Sequence, residues 1–177
     1  MLPVSRLSII GLGLLGSSVA RAVRAHMPGV AITGHDANPA HRETARTIQL
    51  CDDVTDTAGA AVIDAELIIL CVPVGAMGDV AAEIAPDLPD GVIVSDVGSS
   101  KASILAALQA ALPGHHVIPA HPVAGTEQSG PEAGFASLFH NRWCILTPPE
   151  GADAGKVAQL SAFWERLGAN IEIMDAA

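Results

Sequence analysis

The sequence predicts a doubly wound α/β fold with a mostly parallel sheet, on three observations. Short, continuous apolar runs recur along the chain, of which Leu67-Ile68-Ile69-Leu70-Cys71-Val72 is the cleanest, as a strand buried on both faces requires. Stretches of helical spacing lie between these runs, so strands and helices alternate from end to end. A glycine-rich turn joins the first run to the first helix. With 177 residues, 50% of them hydrophobic, the chain suits one well-buried domain better than two.

Taken in order, Leu7 to Ile10 is the first strand and Ser18 to Ala25 lies in the first helix. Met27-Pro28-Gly29 breaks the chain before a strand from Val30 to Thr33, and Asn38-Pro39 caps and starts a helix running to about Gln49. Cys51 to Ala65 is polar, lacks a clean period and reads as a short helix or turn. Leu67 to Val72 is a buried strand ended by Pro73, Val74 to Leu88 is helical by spacing, and Pro89-Asp90-Gly91 is a turn. Val92 to Asp96 repeats the strand and Lys101 to Leu112 the helix, which Pro113-Gly114 closes. His116 to Ala120 is another strand, followed by a Gly/Pro/Ser segment from His121 to about Gly134, long enough to expect function of it. Trp143 to Thr147 is a strand, Ala154 to Leu167 a helix and Asn170 to Met174 the last strand.

The glycine turn, Gly11-Leu12-Gly13-Leu14-Leu15-Gly16, lies between strand and helix, where a dinucleotide is held. Gly11 allows the sharp turn, Gly13 lets backbone approach a pyrophosphate, and Gly16 lets the helix pack closely on the strand. The helix start adds free N–H groups and a positive dipole end. Asp36 stands 20 residues past Gly16, at the end of the second strand. Its carboxylate would accept hydrogen bonds from a ribose diol and repel a 2′-phosphate, which selects NAD over NADP. A Rossmann-type domain over residues 1–177 is the expectation.

A formal charge of −10 and a pI near 4.9 leave no basic stripe, so neither nucleic acid nor an anionic membrane surface is expected as a partner. Cys51, Cys71 and Cys144 are odd in number, widely spaced and set in apolar runs, which suits reduced core thiols rather than disulfides or a metal site. No apolar run reaches the ~18 residues a membrane span needs, and a cytoplasmic protein is expected.

In doubly wound sheets ligands lie beyond the carboxyl ends of the strands, so residues just after each strand are informative. Val72 and Pro73 would lie beside the cofactor's ribose. Asp96-Val97-Gly98-Ser99-Ser100-Lys101 follows the next strand, and a serine there is also an ordinary helix cap. His121-Pro122-Val123-Ala124-Gly125-Thr126-Glu127-Gln128-Ser129-Gly130 places an imidazole, a hydroxyl and a carboxylate on one loop at the mouth of the cofactor cleft. His121 suits a general base, because an imidazole titrates near neutrality and can accept a hydroxyl proton during hydride loss. The other six histidines lack a partner pattern and read as structural.

Together, the glycine turn, the Asp96–Lys101 segment and the His121 loop resemble the prephenate/arogenate dehydrogenases, the cyclohexadienyl dehydrogenases of tyrosine biosynthesis. The resemblance runs through essentially the whole chain, and the His121 loop is its specific part. It implies NAD-dependent oxidative decarboxylation, with His121 accepting the ring hydroxyl proton and Ser99 orienting His121 and touching that hydroxyl. Gly11 to Gly16, Asp36, Val72, Pro73 and Asp96 would contact the cofactor; Ser99, His121, Thr126 and Glu127 would meet the substrate. Members of this family carry a second, helical domain that forms a homodimer and supplies a further histidine and an arginine to the substrate carboxylates. The chain stops just past the last predicted strand, so the expectation is an isolated nucleotide-binding domain, or a chain cut at its domain boundary. Neither Arg142 nor Arg166 is placed as a substitute clamp. Two alternatives stand beside this reading: a non-catalytic NAD-binding regulatory module, which has no need of a base on the His121 loop, and another reductase of the 6-phosphogluconate-dehydrogenase-like group.

Overall fold

The glycine turn has its expected place, between strand β1 (Arg6–Ile10) and helix α1 (Leu14–His26). The structure, a computed structural model, describes residues 1–175. The order continues as β2 (Ala31–His35), α2 (Pro39–Thr47), β3 (Asp53–Val54), α3 (Ala58–Val62), β4 (Leu67–Leu70), α4 (Met77–Ile84), β5 (Ile93–Asp96), α5 (Lys101–Ala111) and β6 (His116–Val117). Then come β7 (Ala120–Pro122), β8 (Trp143–Leu146), α6 (Ala154–Arg166) and β9 (Asn170–Ile173). Six parallel strands form the main sheet in the order β3-β2-β1-β4-β5-β6. This is the doubly wound arrangement, in which the chain reverses direction across β1 and β4 and opens a crevice at their carboxyl ends.

The period-2 alternation of strand side chains divides the core between the two faces of the sheet. Leu7, Ile9, Ile69 and Ile93 pack with α1, α6 and the aromatic group Phe139, Phe163 and Trp164. Ile10, Ile68, Leu70 and Val94 pack with Met77 and Ile84 of α4 and Ile104 and Leu108 of α5. Trp164 meets Phe139 and Phe163 edge-on, with ring centres 5.2 and 5.6 Å apart. Local caps agree with the sequence: Asn38 accepts the Ala40 N–H at 2.9 Å and Asp153 the Lys156 N–H at 3.0 Å. No helix among the described residues is long and apolar enough to cross a membrane.

Five expectations are corrected. The strand expected over His116–Ala120 is two strands: Ile118 still donates to the Val94 carbonyl, but Pro119 has no N–H to give and the chain leaves the main sheet. It enters a second sheet, β7-β8-β9, where β7 runs antiparallel to β8 and β8 parallel to β9. His121 and Pro122, expected to open a loop, therefore belong to a strand. The helix expected over Val74–Leu88 is α4 flanked by single 3₁₀ turns at Val74–Ala76 and Ala85–Asp87, the second holding Pro86, which cannot donate the next helical bond. The Cys51–Ala65 stretch holds both β3 and α3. Ser100 occupies the cap position of α5, but neither it nor Ser99 makes a side-chain cap bond.

Gly11 has φ +99°, and a Cβ there would run into the Cys71 carbonyl just past the adjacent strand β4. Gly11→Ala combines left-handed strain with a backbone collision, so a loss of about 2–4 kcal/mol is expected. Urea denaturation checks this as a lower midpoint at unchanged slope.

Candidate functional site

The carboxyl ends of β1, β2 and β4 enclose a cleft of about 350 Å³ bordered by Gly11, Gly13, Asp36, Val72 and Pro73. Gly13 faces open space: a Cβ built on it would meet nothing within 4 Å. Helix α1 begins directly behind it with no side-chain cap, so its first N–H groups are available. A pyrophosphate fits this place, because the backbone can be approached and the helix end is positive. Asp36 stands at the rim with 13% of its side chain exposed. Its Oδ2 accepts the Leu12 N–H at 2.7 Å and its Oδ1 the Asn38 N–H at 2.8 Å. Two backbone donors thus aim the carboxylate and leave its remaining lone pairs for a ribose diol. The residues present fit a dinucleotide.

The expected cofactor residues do not all reach the cleft. Leu12 is fully buried in the core and its N–H is spent on Asp36, while Gly16 is buried and a Cβ there would strike the Gly11 carbonyl. Both shape the turn from behind. Leu14 and Leu15 are half-buried on the first turn of α1. Asp96 is fully buried beneath the surface. Its Oδ2 accepts the Gly98 N–H at 2.7 Å and the Lys101 ammonium at 2.6 Å, and its Oδ1 accepts the Ala120 N–H at 3.2 Å. Burial pushes the Asp96 carboxyl up from the ordinary carboxylate range, opposed by Lys101 and by the two N–H groups. Burial likewise pushes Lys101 down, opposed by Asp96.

His121 lies at the carboxyl end of β5, where it feels Lys101, Asp96 and the Val97 carbonyl. Burial, and after it the Lys101 ammonium, hold its imidazole below the ordinary 6.5, against Asp96 and that carbonyl. Its Nδ1 is buried and has no hydrogen-bond partner among the described residues. Ser99 is exposed on the turn between β5 and α5, and no hydrogen bond joins it to His121. Thr126 and Glu127 are exposed on the loop after β7, the Thr126 hydroxyl accepting the Gln128 N–H at 3.2 Å. The far end of that loop is fastened to α1: Phe135 N–H donates to the Ser18 hydroxyl at 3.1 Å and Arg21 to the Pro131 carbonyl at 2.8 Å. A Cβ on Gly134 would collide with Ser17, so only glycine passes there.

Several residues passed over in the sequence belong to this region. His41 also borders the cleft, with its Nδ1 3.3 Å from Asp36 Oδ2. Cys71 borders it too, and burial pushes its thiol up, as it does for Cys144 and for Cys51, which reaches about 12. These thiols stay protonated, and all three cysteines are free. Lys101 is the main omission. A lysine at the first position of a helix opposes the helix dipole, and that misfit was the signal that it has a nearby anion.

Fold and cleft together define a dinucleotide-binding domain. The family described as "Prephenate dehydrogenase, nucleotide-binding domain" matches residues 19–173, downstream of the glycine turn. The chain belongs to that family. It is 48% identical over 170 residues to the cyclohexadienyl dehydrogenase of Zymomonas mobilis subsp. mobilis, covering 96% of this chain and 58% of that protein. Its fold is similar to that of Synechocystis arogenate dehydrogenase, with a TM-score of 0.89, 29% identity, and 97% of this chain and 60% of that one covered. Prephenate dehydrogenase from A. aeolicus, solved in complex with hydroxyphenyl propionate and NAD+, superimposes with a TM-score of 0.90 at 27% identity, over 97% of this chain and 60% of that one. The chain therefore spans about 60% of the length of these relatives.

Proposed function

We propose that the chain is the NAD-binding, base-carrying domain of an enzyme that oxidatively decarboxylates prephenate, arogenate or both in tyrosine biosynthesis. The observation that carries this is His121, an imidazole held below its ordinary titration range at the end of β5, on the sheet edge where the cofactor cleft opens. Gly11, Gly13 and the first turn of α1 would hold the pyrophosphate, Asp36 the adenosine ribose, and Val72 and Pro73 the cleft wall. Bound NAD supplies the hydride acceptor. His121 in its neutral form takes the proton of the ring hydroxyl, and Ser99, on the facing turn, orients that hydroxyl. Departure of the ring carboxylate as carbon dioxide restores aromaticity, so the protein's tasks are positioning and proton removal. Thr126 and Glu127 meet the substrate side, while Leu12, Gly16 and Asp96 act from behind as supports.

A second, helical domain covers the site, supplies cations to the substrate carboxylates and pairs two chains as a homodimer. Supporting this, Val123 and Trp143, paired with each other two positions along from His121 and its partner Ile145, are 47% and 54% exposed, apolar surface that a covering domain would bury. The free thiols accord with a cytoplasmic setting. NADH formation from prephenate and from arogenate by the protein with both domains tests the reading, and no NADH from either overturns it.

Cofactor choice follows from Asp36. A carboxylate about 4 Å from a 2′-phosphate is repelled by roughly 4 kcal/mol per unit charge at a surface-like dielectric. After solvent screening, NAD is expected to bind at least about tenfold more tightly than NADP. Calorimetric titration of the 177-residue chain checks it, and equal affinities would remove Asp36 from the ribose site.

A further inference from the structure

The ion pair under the site is bonded in an unusual way to the strand that carries His121. In an extended strand both backbone groups of one residue point to the same side, and in β7 those of Ala120 point to the ion pair. The Ala120 N–H donates to Asp96 Oδ1 at 3.2 Å, and its carbonyl accepts the Lys101 ammonium at 2.7 Å. The 2.6 Å bond between Lys101 and Asp96 closes the ring. The pair thus occupies the side of β7 where another strand would lie, while β8 pairs the opposite side, with His121 in register with Ile145.

We propose that Lys101 is a positioning residue for His121: its ammonium clamps the peptide immediately before the imidazole's residue to Asp96, and so sets where the ring stands at the end of β5. This rests on the reading of His121 as the base. A buried pair serving packing alone is replaceable by apolar side chains at little cost. Here the cation also faces the imidazole. The groups acting on His121 are Lys101 from α5, Asp96 from β5 and the Val97 carbonyl; Cys144 of β8, a neutral thiol, faces the same pair. An ammonium in this place disfavours the imidazolium and keeps the ring ready to accept a proton.

The test titrates His121 by NMR in the 177-residue chain, as wild type, Lys101→Met and Lys101→Arg, and measures kcat and KM in the protein with both domains. Lys101→Met should move the His121 titration to higher pH. It should also lower kcat about 10²-fold, the cost of a misplaced catalytic group, with KM for NAD nearly unchanged. Lys101→Arg, which keeps a cation and its donors, should return both toward wild type. If Lys101→Met leaves Asp96 stranded and the chain unfolded, Asp96→Asn with Lys101→Met removes both charges; because the two act on His121 in opposite directions, that variant is read by kcat alone, which should fall about 10²-fold, and an unchanged kcat there overturns the proposal. A folded Lys101→Met variant whose His121 titrates as in wild type overturns the proposal. A moved titration with unmoved kcat instead overturns the reading of His121 as the base and leaves the positioning intact.

Discussion

Replacing His121 with asparagine in the protein with both domains lowers kcat by about 10²–10⁴-fold, the usual contribution of a positioned proton acceptor. NAD affinity stays within a few-fold, because His121 lies on β7 and is not part of the glycine turn or the ribose rim. Asparagine keeps a planar polar group but cannot take a proton, so the loss reads chemistry rather than shape. The pH profile carries the same signature. With His121 as the base the active form would be the neutral imidazole, and its titration is held below 6.5, so the acid limb of kcat/KM should fall below 6.5. The sign for stability is the same: the unfolded chain binds the proton first as pH falls. The contribution of His121 is therefore complete above the unfolded value near 6.5 and is lost as pH falls below it. Normal kcat in the asparagine variant would return His121 to a structural role.

The 177-residue chain alone is expected to bind NAD and yet to turn over neither prephenate nor arogenate. Both substrates carry two carboxylates, and the chain has a formal charge of −10. Desolvating a carboxylate without a partner costs several kcal/mol, and a bidentate arginine is the usual remedy. Lys101 cannot serve, because its ammonium is bound to Asp96 and to the Ala120 carbonyl and only 9% of its side chain is exposed. Arg142 is exposed at the start of β8 and has no ion-pair partner among the described residues, but a single surface cation cannot enclose a dianion. Isotherms with NAD and a coupled NADH assay separate binding from turnover, and a fused or added helical domain should restore the latter. Robust NADH production by the chain alone would show that Arg142 reaches the substrate unaided.

Elements whose cause is local were legible in the sequence. Leu67 to Leu70 could only be a strand buried on both faces, and the glycine turn could only follow β1, since Gly11 and Gly16 sit where a Cβ meets backbone. The break at Pro119 obeys an equally local rule, a missing donor, but the apolar residues on either side of it masked the signal. What the sequence could not display is pairing across distance. The Ser18 bond to Phe135, the Asp96 bond to Ala120 and the Asp36 bond to Leu12 each depend on the assembled sheet, and no periodicity encodes them. For that reason His121, Ser99 and Asp36 could be singled out as candidates while Lys101, bonded to Asp96 and to the Ala120 carbonyl of β7, reads in the sequence only as the start of a helix.

The strand order has a consequence for the chain during its synthesis. Leu7 of β1 pairs with Ile32 on one side and with Leu67 on the other, so the central strand is made first and gains its second neighbour late. Once Val54 has emerged, β3, β2 and β1 can form a three-stranded sheet whose open edge is β1, with four of its five residues destined for the interior. At roughly 5–20 residues per second that edge stays open for on the order of a second before Leu70 follows. Open apolar edges are where chains pair with the wrong partner. The strand that leads into the nucleotide turn is therefore left unguarded while the chain from Val54 to Leu70 is made, and a slow codon run there would prolong that interval.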